Sequence, residues 1–261
     1  MSEYETLQTK KVGAVLTITL HRPKANAFSL QMLTELKKAF KSEASDDSIR
    51  CVVLTGSGRI FSAGQDVSVL SEGIGTFSLR EHLENTYNRL VMQMRGLEKP
   101  ILGAINGPVA GAAMGIALAT DLRIAAESAR FVFAFTGIGL TGDAGLSLTL
   151  PLLIGFPRAT EMAFTNQPLS AQKAFEYGLV NRVVPDENFQ AETSEWAASL
   201  AEGPTRAMAL SKRAFNRSLL SGLSEALTYE AYLQQVAYRT KDHAEGVAAF
   251  LEKRPPKFVG H

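Results

Sequence analysis

From Phe131 to Pro157 the chain reads FVFAFTGIGLTGDAGLSLTLPLLIGFP, and Asp143 is the only ionisable side chain in that run. A lone carboxylate in such apolar sequence has two readings. It caps a helix over 144–153, the ordinary role of an Asp ahead of a helical run, or its apolar setting raises its pKa toward neutrality and makes it a general base. Two loops offer the complementary half of such chemistry. FSAGQD at 61–66 follows the apolar run CVVLTG, and NGPVAGAA at 106–113 follows ILGAI and enters a small-residue helix over 111–119. Small residues let a ligand approach the main chain, and the first turn of a helix presents free N–H groups to an anion. The same loops also suit helices packed tightly on a sheet.

Other chemistries lack their parts. The sequence has no phosphate-binding G-x-x-x-x-G-K-[ST], no strand-linked G-x-G-x-x-G, no H-E-x-x-H, no C-x-x-C and no G-x-S-x-G. Nucleotide hydrolysis, hydride transfer, zinc chemistry and esterase chemistry are therefore not expected, nor is a metal site. His21, His82, His243 and His261 are scattered and read as surface or packing residues.

The elements that must position these residues follow from periodicity. AVLTITL, CVVLTG, ILGAI and DLRIAA are short, β-branched or apolar runs bounded by turn residues, hence strands. Between them, Ser29 caps a helix over 30–44 in which Leu30, Leu33, Leu36 and Phe40 recur at helical spacing, and a second helix spans 79–96. Strands alternating with helices predict parallel pairing with right-handed crossovers. The two glycine loops then meet at the carboxyl edge of neighbouring strands, where open α/β sheets take ligands. After about residue 186 four helical patterns follow without a strand. The expectation is a core over 1–185 carrying the site and an all-helical region over 186–261.

Composition narrows the partners. With 261 residues, 46% hydrophobic and 20% charged, and 27 basic against 26 acidic residues, the chain is an ordinary globular one with net charge +1. No basic stripe suggests nucleic acid. The uncharged stretch Ile101–Thr120 matches a membrane span in length, but Asn106-Gly107-Pro108 breaks it. A lone Cys51 and an N-terminus with Glu3 and Glu5 in place of an apolar signal predict a cytoplasmic protein away from membranes.

The segments FSAGQDVSVL, KPILGAINGPVAGAAMGIALATDLRIAAESARF and LPLLIGFPRATEMAFTNQPLSAQKAFEYGLVNRVV resemble, in order and over nearly the whole chain, the enoyl-CoA hydratase/isomerase or crotonase family. The resemblance implies an α/β fold, a crotonase-like spiral of ββα units with an all-helical C-terminal region. It implies an acyl-CoA ligand, a homotrimer or homohexamer, and no cofactor beyond the coenzyme A of the substrate. By position, the N–H groups of Gln65 and Ala112 match the family's oxyanion hole, beside Gly64 and Gly111. Ala63 and Asp66 match residues bordering the adenine and pantetheine, and Arg22 and Lys24 resemble those near the coenzyme phosphates. Lys253, Arg254 and Lys257 are similar to a basic end that can reach a neighbour's nucleotide, or form a solvated tail.

The departures from the family carry the functional expectation. The two glutamates with which its hydratases add water fall at Gly115 and Phe135, neither of which moves a proton. Asp143 falls where isomerases of the enoyl-CoA and epoxyphenylacetyl-CoA type carry a carboxylate. The resemblance thus implies isomerisation of a 3-enoyl-CoA to a 2-enoyl-CoA by Asp143, with Phe133, Phe135 and Leu140 walling the acyl pocket. Ring-opening isomerisation of an aromatic-derived epoxy-acyl-CoA, hydration, and acyl-CoA binding without turnover stand as alternatives.

Overall fold

The structure, a computed structural model, describes residues 4–23, 25–67 and 78–261. Its first hairpin pairs β1 (Leu7–Val12) with β2 (Val15–Leu20) antiparallel around Gly13, whose φ of +58° fits the tight turn. Every later strand of the main sheet is parallel: β3 (Cys51–Gly56), β4 (Ile101–Ile105), β6 (Leu122–Ala126) and β9 (Arg182–Val184), in the order β1-β2-β3-β4-β6-β9. β3 and β4 read as continuous apolar runs because both faces are covered.

After leaving the main sheet, the chain repeatedly makes a second, shorter pairing before its helix. Phe28 bridges Gln65, Ser62 bridges Val109, and β5 (Val109–Ala110), β7 (Arg130–Val132) and β8 (Leu169–Ser170) form a three-stranded sheet. Successive turns of the chain up to β8 thus contribute a strand to the main sheet, a short strand or bridge to the second layer and then a helix, the ββα spiral that the family resemblance implies. These strands are too short to show a period-two pattern, so periodicity misses them.

Helix α1 (Leu30–Lys41) begins where Ser29 Oγ accepts the Met32 N–H at 3.2 Å, and buries Met32, Leu33, Leu36, Ala39 and Phe40. The single helix expected over 79–96 is two, α2 (Leu79–Asn85) and α3 (Tyr87–Gly96). Thr86 breaks it, leaving helical geometry (φ −117°, ψ −85°) while its hydroxyl donates to the His82 carbonyl at 2.5 Å. The stretch 101–120 divides into β4, β5 and α4 (Ala112–Leu118), and among the described residues no helix is long and apolar enough to cross a membrane.

Beyond α5 (Leu146–Ile154), α6 (Phe156–Thr165) and α7 (Ala171–Glu176), the chain past β9 is helical: α8 (Phe189–Glu202), α9 (Thr205–Leu219), α10 (Leu223–Tyr238) and α11 (Lys241–Glu252). α8 covers the outer face of the sheet, burying Ala197 and Ala201 against Val53, Leu102 and Ile124. α9 is fastened by Lys212, whose ammonium meets Asp121 at 2.8 Å beside the Arg95–Asp121 pair. α10 lies along α2 and α3 and reaches α5. Cys51 is buried and burial pushes its thiol up to about 12, which leaves it a packing residue.

Candidate active site

The first loop is built by Asn26. Buried, with φ +51°, it directs its side-chain amide to the carbonyls of Ser57, Ile60 and Phe61, while Ser62 Oγ donates to the Asn26 carbonyl at 2.7 Å. The turn ends at Gly64 (φ +88°), where a Cβ would lie 2.6 Å from the Ala110 carbonyl oxygen and 3.4 Å from the Ala112 nitrogen. Only glycine lets the two loops touch there. On either side, Phe28 N–H donates to the Gly64 carbonyl at 2.7 Å and Asp66 N–H donates to the Phe28 carbonyl at 3.0 Å. The intervening Gln65 N–H points the other way and has no acceptor among the described residues. Ala112 N–H, at the first position of α4 after Gly111 (φ +56°), likewise has none.

Ala63, Gln65, Gly111, Ala112 and Asp143 line one cavity of about 280 Å³. Three of the nine residues assigned in the sequence stand outside its lining. Gly64 holds the loops together, and Arg22 and Asp66 form an ion pair at 2.8 Å. The ninth, Lys24, lies outside the described residues. Phe135 and Leu140 line the cavity as expected; Phe133 does not. Its ring stands edge-on behind Phe135, 5.2 Å between centroids, so it supports the wall from behind.

Asp143 is 5% exposed and does not cap a helix. The N-cap of α5 is Gly145, and only the Asp143 main-chain carbonyl takes part, accepting from Leu146 N–H at 3.1 Å. The chain turns so sharply at Ala144 (φ +54°) and Gly145 (φ +85°) that the Asp143 side chain is left for the cavity. Its Oδ2 accepts from the Gln234 amide at 2.9 Å, and its buried Oδ1 has no hydrogen-bond partner. Burial, reinforced by the nearby Glu230 carboxylate and only partly offset by the Gln234 amide, pushes the Asp143 carboxyl up to about 8.

Five polar residues at or beside the cavity escape the sequence reading, among them Asn166, whose Oδ1 accepts from the Ala134 N–H at 2.6 Å. Tyr87 donates to Gln65 Oε1 at 2.7 Å, and His82 Nε2 lies 3.3 Å from the same oxygen, so His82 is a site residue after all. Desolvation lowers the His82 pKa and keeps the ring neutral, while burial and Asp143 raise that of Tyr87. Glu230 accepts from Gly145 N–H at 2.8 Å and Ser147 N–H at 2.7 Å, and Gln234 lies one turn further along α10. The signal for this last pair was present: Leu223, Leu227, Glu230, Ala231, Gln234 and Tyr238 form one buried stripe, and two polar members of an apolar stripe mark a polar task. α11 closes the mouth by packing Gly246 and His243 against Ile138, with Phe250 reaching the cavity. Within the C-terminal basic cluster, Arg254 pairs with Glu245 and Glu252, and Glu245 also accepts from the Lys257 main-chain N–H.

A buried carboxylate with one unpartnered oxygen, opposite two free N–H groups in an apolar cavity, can remove a proton and stabilise the oxyanion that results. The family described as enoyl-CoA hydratase/isomerase matches residues 10–261. A 1,2-epoxyphenylacetyl-CoA isomerase of Escherichia coli (strain K12) is 41% identical over 94% of this chain and 95% of its own length. A "Probable enoyl-CoA hydratase" of Rhodobacter capsulatus is 40% identical over 98% of this chain and 99% of its own length. The crystal structure of an enoyl-CoA hydratase from Mycobacterium avium subsp. paratuberculosis K-10 superposes with a TM-score of 0.88 at 33% identity, covering 98% of this chain and 99% of that one. The chain has the crotonase fold and is an enzyme of the enoyl-CoA hydratase/isomerase family.

Proposed function

We propose that the protein isomerises enoyl-CoA thioesters, moving a 3-enoyl double bond into conjugation with the thioester. Asp143 takes a proton from C2 and returns it at C4, and the N–H groups of Gln65 and Ala112 hold the enolate oxygen in between. Each such donor contributes on the order of 3 kcal/mol to the stability of the developing charge. Conjugation drives the reaction. The chemistry calls for no metal or redox cofactor, and coenzyme A enters with the substrate. Arg22 and Lys24 are assigned to its phosphates, and Ala63 and Asp66 to its pantetheine and adenine.

The observation that carries this reading is the pairing of a buried, proton-holding Asp143 with a cavity whose wall, among the described residues, has no second carboxylate. Hydration requires one group to activate water and another to deliver a proton, and the positions that would supply them are Gly115 and Phe135. Phe135 is buried in the wall and excludes water from the enolate. The proposal includes a cytoplasmic homotrimer or homohexamer, for which the exposed Phe164, Phe215 and Tyr229 offer apolar surface.

A second reading, ring-opening isomerisation of an epoxy-acyl-CoA by the same aspartate, is favoured by the activity of the Escherichia coli relative. The two are separated by product analysis. The protein converts 3-enoyl-CoA to 2-enoyl-CoA and, given 2-enoyl-CoA in water, forms no 3-hydroxyacyl-CoA. Hydroxyacyl product at a rate matching isomerisation replaces the isomerase with a hydratase, and turnover of the epoxide alone replaces it with the second reading.

A further inference from the structure

The Asp143 carboxylate is approached by α10 with two side chains one helical turn apart. Gln234 is 1% exposed and Glu230 2%. Gln234 is oriented at both ends: its Oε1 accepts from Thr141 N–H at 3.3 Å, which leaves the NH₂ to donate to Asp143 Oδ2 at 2.9 Å. Glu230 takes two main-chain N–H groups from the other end of the same loop, Gly145 and Ser147. Residues 141–147 are therefore held at four points by one helix, and the sole carboxylate oxygen of Asp143 left without a partner is Oδ1.

Resting on the reading of Asp143 as the base, we infer that Gln234 and Glu230 are the positioning residues of the proton transfer: Gln234 occupies Oδ2 so that Oδ1 alone exchanges a proton with substrate, and Glu230 fixes the loop and supplies the negative charge against which Asp143 holds its proton. Removal at C2 and return at C4 on one face are served by one carboxyl group, and holding Oδ2 on the Gln234 amide keeps the proton on the same oxygen through both steps. Burial raises the pKa of Glu230 as well, but its two N–H donors favour its charge whereas Asp143 has none from the main chain, so Glu230 ionises first and Asp143 titrates against it.

The other groups facing Asp143 keep one charge state across that titration. Tyr87 on α3 stays neutral, its pKa raised, and His82 on α2 stays neutral, its pKa lowered. α4 and α5 carry no ionisable residue, and His243 of α11 turns its Nδ1 to the Ile138 carbonyl.

The two side chains act on Asp143 with opposite sign, and the experiment uses that. In Gln234→Met, loss of the donor to Oδ2 raises the Asp143 pKa, so the rate-limiting ionisation moves to higher pH; in Glu230→Gln, loss of the charge moves it to lower pH. Each shift is expected to be about half a pH unit or more. Turnover in Gln234→Met falls about tenfold with KM unchanged, and deuterium from C2 is retained less at C4 because both carboxylate oxygens now exchange. The carboxylic acid band of Asp143, assigned as the infrared band missing from Asp143→Asn, reports the same two shifts without turnover. Opposite shifts in the infrared titration support the inference whatever the substrate proves to be. Shifts of the same sign, or none, in either folded variant overturn it. Unmoved limbs in a wild type that isomerises and loses activity in Asp143→Asn overturn this inference and leave the base intact, whereas activity unaffected by Asp143→Asn removes the base on which it rests.

Discussion

Gly115 of α4 lies directly against Ala144: a Cβ on Gly115 would stand 2.5 Å from that of Ala144 and 3.2 Å from the Asp143 carbonyl oxygen. The helix whose first N–H faces the cavity at Ala112 is thereby the surface on which the Asp143 loop rests. One short helix sets the distance between base and oxyanion donor. The same contact leaves position 115 no room for a side chain, which would occupy the space of the loop that carries Asp143.

Gly115→Ala therefore pushes the loop off α4. Overpacking of this kind costs about 1–3 kcal/mol, and the displaced carboxylate loses reach. Thermal melting records the first effect and a fall in kcat the second. Gly115→Glu restores the family's carboxylate by name and gains no hydratase activity.

The buried carboxyl also makes stability depend on pH. Unfolded, Asp143 ionises near pH 3.9; folded, it holds its proton to about 8. Between those values the native state binds more protons than the unfolded one, so stability falls as pH rises. Asn carries no such penalty. Asp143→Asn is expected to be more stable than wild type by roughly 2–5 kcal/mol at about pH 8, with the difference vanishing below about pH 4. Denaturant melts at the two pH values check this, and a constant difference contradicts the burial of the charge.

Activity runs the other way. The reaction needs the carboxylate, so turnover rises with pH through a limb near 8, set by burial and Glu230. A profile already flat above pH 6 means that Asp143 is ionised in the resting enzyme.

Tyr87→Phe removes the 2.7 Å bond to Gln65 Oε1. That bond and the Phe28 bridge fix Gln65, whose N–H is proposed to hold the enolate oxygen. The expected outcome is a kcat lower by about three- to tenfold at unchanged KM, with a stability loss of about 0.5–1.5 kcal/mol. A rise in KM alone places Tyr87 in substrate binding.

Much of this site was legible because its parts are local. Gly64 and Gly111 announce positive φ, Asp143 stands out by the absence of any other charge around it, and each strand-to-helix loop is contiguous in sequence. The partners were not legible. Gln234 and Asp143 lie 91 residues apart, and Tyr87 and Gln65 22, so their contact depends on how α10 and α3 pack, which periodicity does not specify. The two-residue strands β5 and β8 and the break at Thr86 are set by a few local hydrogen bonds with no compositional signature. Asp143 itself shows the limit of the local rule: the residue ahead of a helix is usually its cap, and here positive φ at Ala144 and Gly145 moves the cap forward and frees the carboxylate.

The central claim is that Asp143 alone carries the proton. Incubation of 3-enoyl-CoA with the enzyme in D₂O, followed by mass spectrometry of recovered substrate and 2-enoyl product, measures it directly in wild type and in folded Asp143→Asn. The account predicts that wild type forms the conjugated product and exchanges deuterium at C2 or C4, and that the variant does neither, with a loss of about 10²- to 10⁴-fold. Undiminished exchange in Asp143→Asn contradicts it and assigns the proton to another group.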